Sequence, residues 1–161
     1  MAQRQLPEDF KEFLRLLNSN NVRYLLVGGW AVGFYGYSRV TADMDIFVGM
    51  SDENILSMQS ALREFGVPEF ERTMLTLKGN VFRIGRTPLR IEIINEISGV
   101  SFEEAFINRD HIELEDNLRI PVISVEDLFK NKSSTGRKKD EADLEELRKL
   151  LGKEDAKNDT D

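Results

Sequence analysis

Cysteine is absent from this chain and histidine occurs once, as His111. Disulfide frameworks, thiolate nucleophiles and Cys- or His-rich zinc sites are thereby excluded, so any chemistry must rest on carboxylates, hydroxyls and basic groups. Long hydrophobic runs are missing too. No segment approaches the roughly 20 apolar residues that span a bilayer, and the amino-terminal MAQRQLPEDFKEF lacks the apolar centre of a signal peptide. A cytoplasmic protein without membrane contact is expected. Positive charge is in short supply: 22 Lys and Arg face 29 Asp and Glu, a formal net charge of −7. Phosphate contacts depend on Lys and Arg, so that balance disfavours indiscriminate nucleic-acid binding, although a local basic patch would still serve one nucleotide or one RNA end.

What is present fits a single domain. With 161 residues and 40% hydrophobic content there is enough apolar material for one core and too little for a second. The expected layout is one domain over residues 1–151 followed by a polar, disordered tail over 152–161. Leu6-Pro7-Glu8-Asp9 reads as a helix opening, with Pro in the first turn and acids at the positive end of the dipole, and Phe10, Phe13, Leu14 and Leu17 give the helix a buried stripe. Residues 22–27 read as a buried strand stopping at Gly28-Gly29, and 30–35 as a short helix. A strand over Asp43–Val48 and a helix over Asp52–Glu64, ended by Gly66, come next.

Residues 67–79 carry no clear pattern. Val81–Ile84 and Leu89–Ile94 read as two strands around a Gly85-Arg86-Thr87-Pro88 turn. Ser101-Phe102-Glu103-Glu104 carries a capping-box pattern, and Ser124-Val125-Glu126-Asp127 a looser form of it. A helix over Asp140–Leu151 is the last element. Alternating strands and helices indicate an α/β or α+β domain with a mixed sheet.

In Asp43-Met44-Asp45-Ile46, the two-residue repeat of a strand puts both aspartates on one side and Met44 and Ile46 on the other. Two adjacent carboxylates repel unless something cationic lies between them. Mg²⁺ is the natural occupant, with Mn²⁺ a substitute, because it takes carboxylate oxygens and shares its remaining positions with phosphates. An isolated D-x-D is more often a loop cap followed by an exposed strand acid. A calcium loop is excluded, because Phe47 and Gly49 stand where the next ligand and the required glycine belong. Gly28-Gly29, at the junction of a strand and a helix, lets backbone approach a phosphate, and equally suits a plain tight turn. It is neither a P-loop nor a dinucleotide fingerprint.

Taken jointly, Leu26-Val27-Gly28-Gly29-Trp30-Ala31-Val32 and Arg39-Val40-Thr41-Ala42-Asp43-Met44-Asp45-Ile46 resemble the DNA polymerase β-like nucleotidyltransferase superfamily. Its signature is Gly-Gly or Gly-Ser, a short helix, then D-x-D or D-x-E on the next strand. The Arg39-x-Thr41-x-Asp43-x-Asp45 form is most similar to a small bacterial branch that includes abortive-infection toxin nucleotidyltransferases. The resemblance implies a mixed twisted sheet flanked by helices with a carboxy-terminal helical segment. It also implies a third carboxylate, which Leu89-Arg90-Ile91-Glu92-Ile93 supplies as Glu92, with Glu96 the fallback. The family more often has Asp there.

A second matching stretch, Lys132 through Arg137-x-Lys139-Asp140-x-x-Asp143-Leu144, resembles the same branch. Ser133, Ser134 and Thr135 depart from its usual apolar or Ala residues, which predicts a looser turn. Near a helix start, Arg137 and Lys139 oppose the dipole, a conflict a bound triphosphate relieves; a solvated basic turn balanced by Asp140, Glu141 and Asp143 accounts for them equally.

The implied activity is Mg²⁺-dependent transfer of a nucleoside monophosphate from an NTP, such as ATP, to an acceptor hydroxyl. Asp43, Asp45 and Glu92 would be catalytic and metal-binding. Gly28, Gly29, Arg39, Thr41, Lys132, Arg137 and Lys139 would bind substrate, the last three from the rim. The acceptor, whether tRNA end, protein or small molecule, is left open, and a homodimer or an antitoxin-like partner would supply missing binding surface. The competing reading is a catalytically inactive nucleotide-binding or partner-binding module of a toxin–antitoxin system. His111 reads as a surface or turn residue, and Trp30, Phe34 and Tyr35 as core residues or base-stacking ones.

Overall fold

The computed structural model describes residues 6–36, 43–67, 70–86 and 89–158, excluding the side chains of Asp116 and of residues 153–158. Helix α1 (Glu8–Ser19) begins after Pro7 and buries Phe10, Phe13, Leu14 and Leu17 as the helical spacing predicts. Strand β1 (Tyr24–Val27) is buried along its whole length and passes directly into α2 (Gly28–Phe34). Strand β2 (Asp43–Val48) matches its expected span. Helix α3 (Asp52–Phe65) is capped by the Ser51 hydroxyl, which accepts from the Asn54 amide. Gly66 ends it in the left-handed region at φ 99°, a conformation that costs glycine nothing.

The patternless stretch holds a single helical turn, α4 (Thr73–Thr76). Strands β3 (Val81–Arg86) and β4 (Leu89–Ile94) pair antiparallel as expected; Thr87 and Pro88 of their turn lie outside the described residues. Helix α5 (Phe102–Ile107) starts where the capping-box pattern put it, yet the Ser101 side chain makes no cap bond. The looser pattern is the one that caps: Ser124 Oγ accepts from the Asp127 amide at 3.1 Å at the start of α6 (Val125–Thr135). Between α5 and α6 lie two further strands, β5 (Asp110–Leu114) and β6 (Leu118–Val122). A 3-10 turn over Lys138–Asp140 leads into α7 (Glu141–Asn158), whose backbone continues past Gly152.

These strands form one six-stranded mixed sheet in the order β3-β4-β2-β1-β6-β5. β1 runs antiparallel to β2 and parallel to β6, and β2 runs parallel to β4. The expected mixed, helix-flanked sheet is therefore the observed architecture. Met44, Ile46, Ile91 and Ile93 point into the core, so the alternate residues of β2 and β4 face the other way. Helices α1 and α3 meet edge to face through Phe13 and Phe65, 5.0 Å between ring centroids. Trp30 is core: it is buried and packs edge-on to Phe10. Among the described residues no helix is long and apolar enough to cross a membrane.

Candidate active site

Parallel pairing of β2 with β4 sets Asp43 beside Arg90 and Asp45 beside Glu92. Because both strands alternate, the two aspartates, Arg90 and Glu92 share the face opposite the core. Strand β1 ends on the other side of β2, with Val27 opposite Asp45, and the chain then turns through Gly28 at φ +68°. A Cβ at Gly28 would collide with the Asp45 carboxylate. Only glycine therefore lets the turn pass this close to Asp45 in this backbone conformation.

The three acids are not equivalent. Arg90 Nη2 donates to Asp43 Oδ2 at 2.8 Å and lies 3.0 Å from Glu92 Oε1. Arg83, from β3, donates to the same Glu92 oxygen at 3.3 Å. Among the described residues Asp45 receives no such cation contact. Burial, a hydrogen bond with Glu92 and the negative charges of Glu92 and Asp43 push its pKa up to about 7, with Lys132 pulling the other way. Asp45 Oδ1 is buried and finds no hydrogen-bond partner among the described residues.

A cleft of about 800 Å³ opens over this face. Gly28, Gly29, Asp43, Asp45 and Glu92 line it from the sheet, and Lys132, Arg137 and Lys139 from the carboxy-terminal helices. Two of the residues expected to bind substrate, Arg39 and Thr41, lie outside the described residues. Glu96 also lines the cleft but lies 3.9 Å from Lys78, and the residue in register with Asp45 is Glu92. His111 sits exposed on β5 away from the cleft, with its pKa lowered by burial and by Arg119 and Arg109.

Lys132 is not at an open rim. It is 5% exposed, its ammonium 3.1 Å from Asp140 Oδ1 and 3.4 Å from Asp143 Oδ2. Asp140 Oδ2 also accepts from the Thr135 hydroxyl at 2.6 Å and from Arg137 Nε at 2.9 Å. Burial pushes the Asp140 pKa up, but the bonds from Thr135, Lys132 and Arg137 outweigh it and leave a net depression. The expected loose turn at Ser133–Thr135 is corrected by the structure: these hydroxyls bond carbonyls at Phe129, Lys130 and Lys132 and finish α6 as a regular helix end. A neighbouring contact ties this helix to the sheet. Asn131 Nδ2 donates to the Ser98 carbonyl at 3.0 Å, and Gly99 sits so close that an added Cβ would strike the Ser134 hydroxyl.

Residues 7–161 match the profile of a family described as nucleotidyl transferase of unknown function (DUF2204). This chain belongs to that family. The same architecture occurs in a crystal structure of a candidate nucleotidyltransferase from Thermotoga maritima, at a TM-score of 0.58 and 18% identity, covering 89% of this chain and 91% of that one. At that identity the likeness concerns the fold. The comparison with curated proteins returned no match.

Members of a nucleotidyltransferase family raise the question of a divalent ion, and the residues present fit one. The donors are hard carboxylate oxygens, Asp45 Oδ1 is buried with no hydrogen-bond partner among the described residues, and Gly28 leaves room a Cβ would fill. As the side chains stand, no group of three or more carboxylate or His side chains among the described residues is placed to hold a metal ion, and two of the three acids here are engaged by Arg90. Arg83 was not anticipated as part of the site, and Arg90 was expected only to share the polar face with Glu92. The alternation Leu89-Arg90-Ile91-Glu92 places Arg90 on the Glu92 face, but its pairing with Asp43 depends on a strand neighbour that only the fold supplies.

Proposed function

We propose that this protein is a metal-dependent nucleotidyltransferase that moves a nucleoside monophosphate from an NTP to an acceptor hydroxyl. The observation that carries the reading is the meeting of Asp43, Asp45 and Glu92 from adjacent parallel strands at a cleft walled by bare glycine backbone. Mg²⁺ or Mn²⁺ held by these acids would supply charge neutralisation at the triphosphate and polarisation of the phosphoryl group. Gly28 and Gly29 bring backbone without side chains to the phosphates. Arg137 and Lys139 face them from the other wall, with Arg39 and Thr41 assigned to the same task. Lys132 anchors that wall. The acceptor oxygen attacks the α-phosphorus, the bond to the β-phosphate bridging oxygen breaks, pyrophosphate leaves, and the hydroxyl proton passes to Glu92.

The abortive-infection toxin-type branch is part of this proposal, supported by the Lys132 to Leu144 segment. The acceptor is an RNA end, a protein or a small molecule, and the location is cytoplasmic. Protein incubated with α-labelled NTPs, Mg²⁺ and, in separate arms, total RNA, protein extract and aminoglycoside-like compounds should label one acceptor class. Combined Asp43→Ala and Asp45→Ala should reduce labelling to background; undiminished transfer would falsify the assignment.

One observation favours a second reading, an inactive nucleotide-binding or partner-binding module. Arg90 already engages two of the three acids. Calorimetric titration with each NTP separates the two. A catalyst binds tightly only with divalent metal, whereas an inactive module binds equally without it.

A further inference from the structure

We infer that Arg90 is a resident counter-cation of the carboxylate cluster: it holds Asp43 and Glu92 in the metal-free protein and releases them to an arriving divalent cation, so that binding is an exchange. The inference rests on the proposed role of the three acids and adds how that site is guarded.

A single nitrogen, Nη2, reaches both carboxylates, at 2.8 Å to Asp43 and 3.0 Å to Glu92. Asp43 Oδ2 and Glu92 Oε1 are hard oxygens a divalent ion needs, and an ion ligated by them would face a guanidinium that never loses its charge. The hydrogen bond to Asp43 and the ion pair with Glu92 cannot persist unchanged beside it.

The surroundings suit release. Arg90 has no ion pair among the described residues other than those with the cluster acids, and its Nε lacks a hydrogen-bond partner. Its side chain is 31% exposed, against 6% for Lys132 in the neighbouring buried network. On the side away from β2, the residue in register with Arg90 is Gly85, at φ +85°. An added Cβ there would meet the Leu89 carbonyl oxygen at 2.6 Å, so the position opposite Arg90 stays free of side chain. No side chain from residue 85 therefore stands between the partly exposed guanidinium and β3. Arg83, bonded to the same Glu92 oxygen at 3.3 Å and 55% exposed, remains as a second, looser partner.

The test measures Mn²⁺ binding directly, by the electron paramagnetic resonance signal of free Mn²⁺ at pH 8 and low salt, in wild type, Arg90→Gln and Asp45→Asn. Expected are binding by wild type, loss in Asp45→Asn, and binding about tenfold tighter in Arg90→Gln, as removal of one nearby like charge predicts. Unchanged or weaker binding by Arg90→Gln, with Asp45→Asn still impaired, overturns the exchange and leaves the cation site standing. Equal binding by wild type and Asp45→Asn, or none by either, removes the site and the exchange together. Should Arg90→Gln lose its circular dichroism, the wild type decides through the ¹⁵N resonance of Arg90 Nε–H, assigned by its absence from Arg90→Lys. A Mg²⁺-dependent shift in wild type but not in Asp45→Asn supports the exchange, and a resonance indifferent to Mg²⁺ refutes it.

Discussion

The two walls of the cleft hold the same kind of residue in opposite condition. On the carboxy-terminal wall, Asp140 is served by Lys132, Arg137 and Thr135, and its pKa is depressed although it is almost completely buried. On the sheet wall, Asp45 is held by another acid, carries a buried oxygen with no hydrogen-bond partner among the described residues, and has its pKa pushed up to about 7. An acid whose bonds are complete within the protein serves folding. One whose bonds are left incomplete at the mouth of a cleft has capacity for a ligand. The difference shows that acid content alone does not locate a site; the distribution of cations among the acids does.

Breaking the served wall should have the largest effect. Lys132→Ala leaves Asp140 and Asp143 buried without their ammonium and should cost about 3–5 kcal/mol in urea unfolding, as loss of one partner of a buried pair does. A loss below about 1 kcal/mol would show that water compensates and that this wall is not closed. Gly28→Ala strikes the other wall. It puts a side chain in the left-handed region, at about 1–2 kcal/mol, and drives it into Asp45, so transfer activity should fall further than stability. Activity at the wild-type level would mean that Asp45 does not need its present position.

The two walls should also leave opposite marks on the pH dependence of stability. The Asp45 pKa is raised in the folded state, so its contribution is full below the ordinary value of 3.8 and is lost as pH rises towards about 7, with a slope of at most about 1.4 kcal/mol per unit. The Asp140 pKa is depressed, so its contribution is present above the ordinary range and is lost on acidification. Asp45→Asn should flatten the first limb alone and Asp140→Asn the second alone; a flat profile in wild type contradicts both assignments. The smallest effect belongs to Arg137, half-exposed and one of three donors to Asp140. Arg137→Ala should cost only about 0.5–1 kcal/mol, while raising KM for NTP with kcat little changed.

How much of this was legible in the sequence depends on the range of the interaction. The span of β2, the shared face of Asp43 and Asp45, and the glycine end of α3 follow from local periodicity and backbone preference, and the structure reproduces them. Asp43 and Asp45 converge with Glu92 only because β2 and β4 pair in parallel, with α3, α4 and β3 intervening in the chain. Motif resemblance supplied Glu92 where local pattern had no means to. Strands β5 and β6 escaped notice because they are short, with Pro121 inside the second. Proline argues against a strand interior, yet β6 meets β1 through a single registered pair, Leu26 with Val122, and so tolerates it. Lys132 read as a rim cation because nothing nearby in the chain shows that α7 folds back to bury it with Asp140 and Asp143.

The seating of Gly99 against Ser134, reinforced by Asn131 on the Ser98 carbonyl, joins the sheet's turn after β4 to the last turns of α6. Both sides of the opening are therefore mounted on one bracket, and a methyl group at residue 99 would act as a wedge between them.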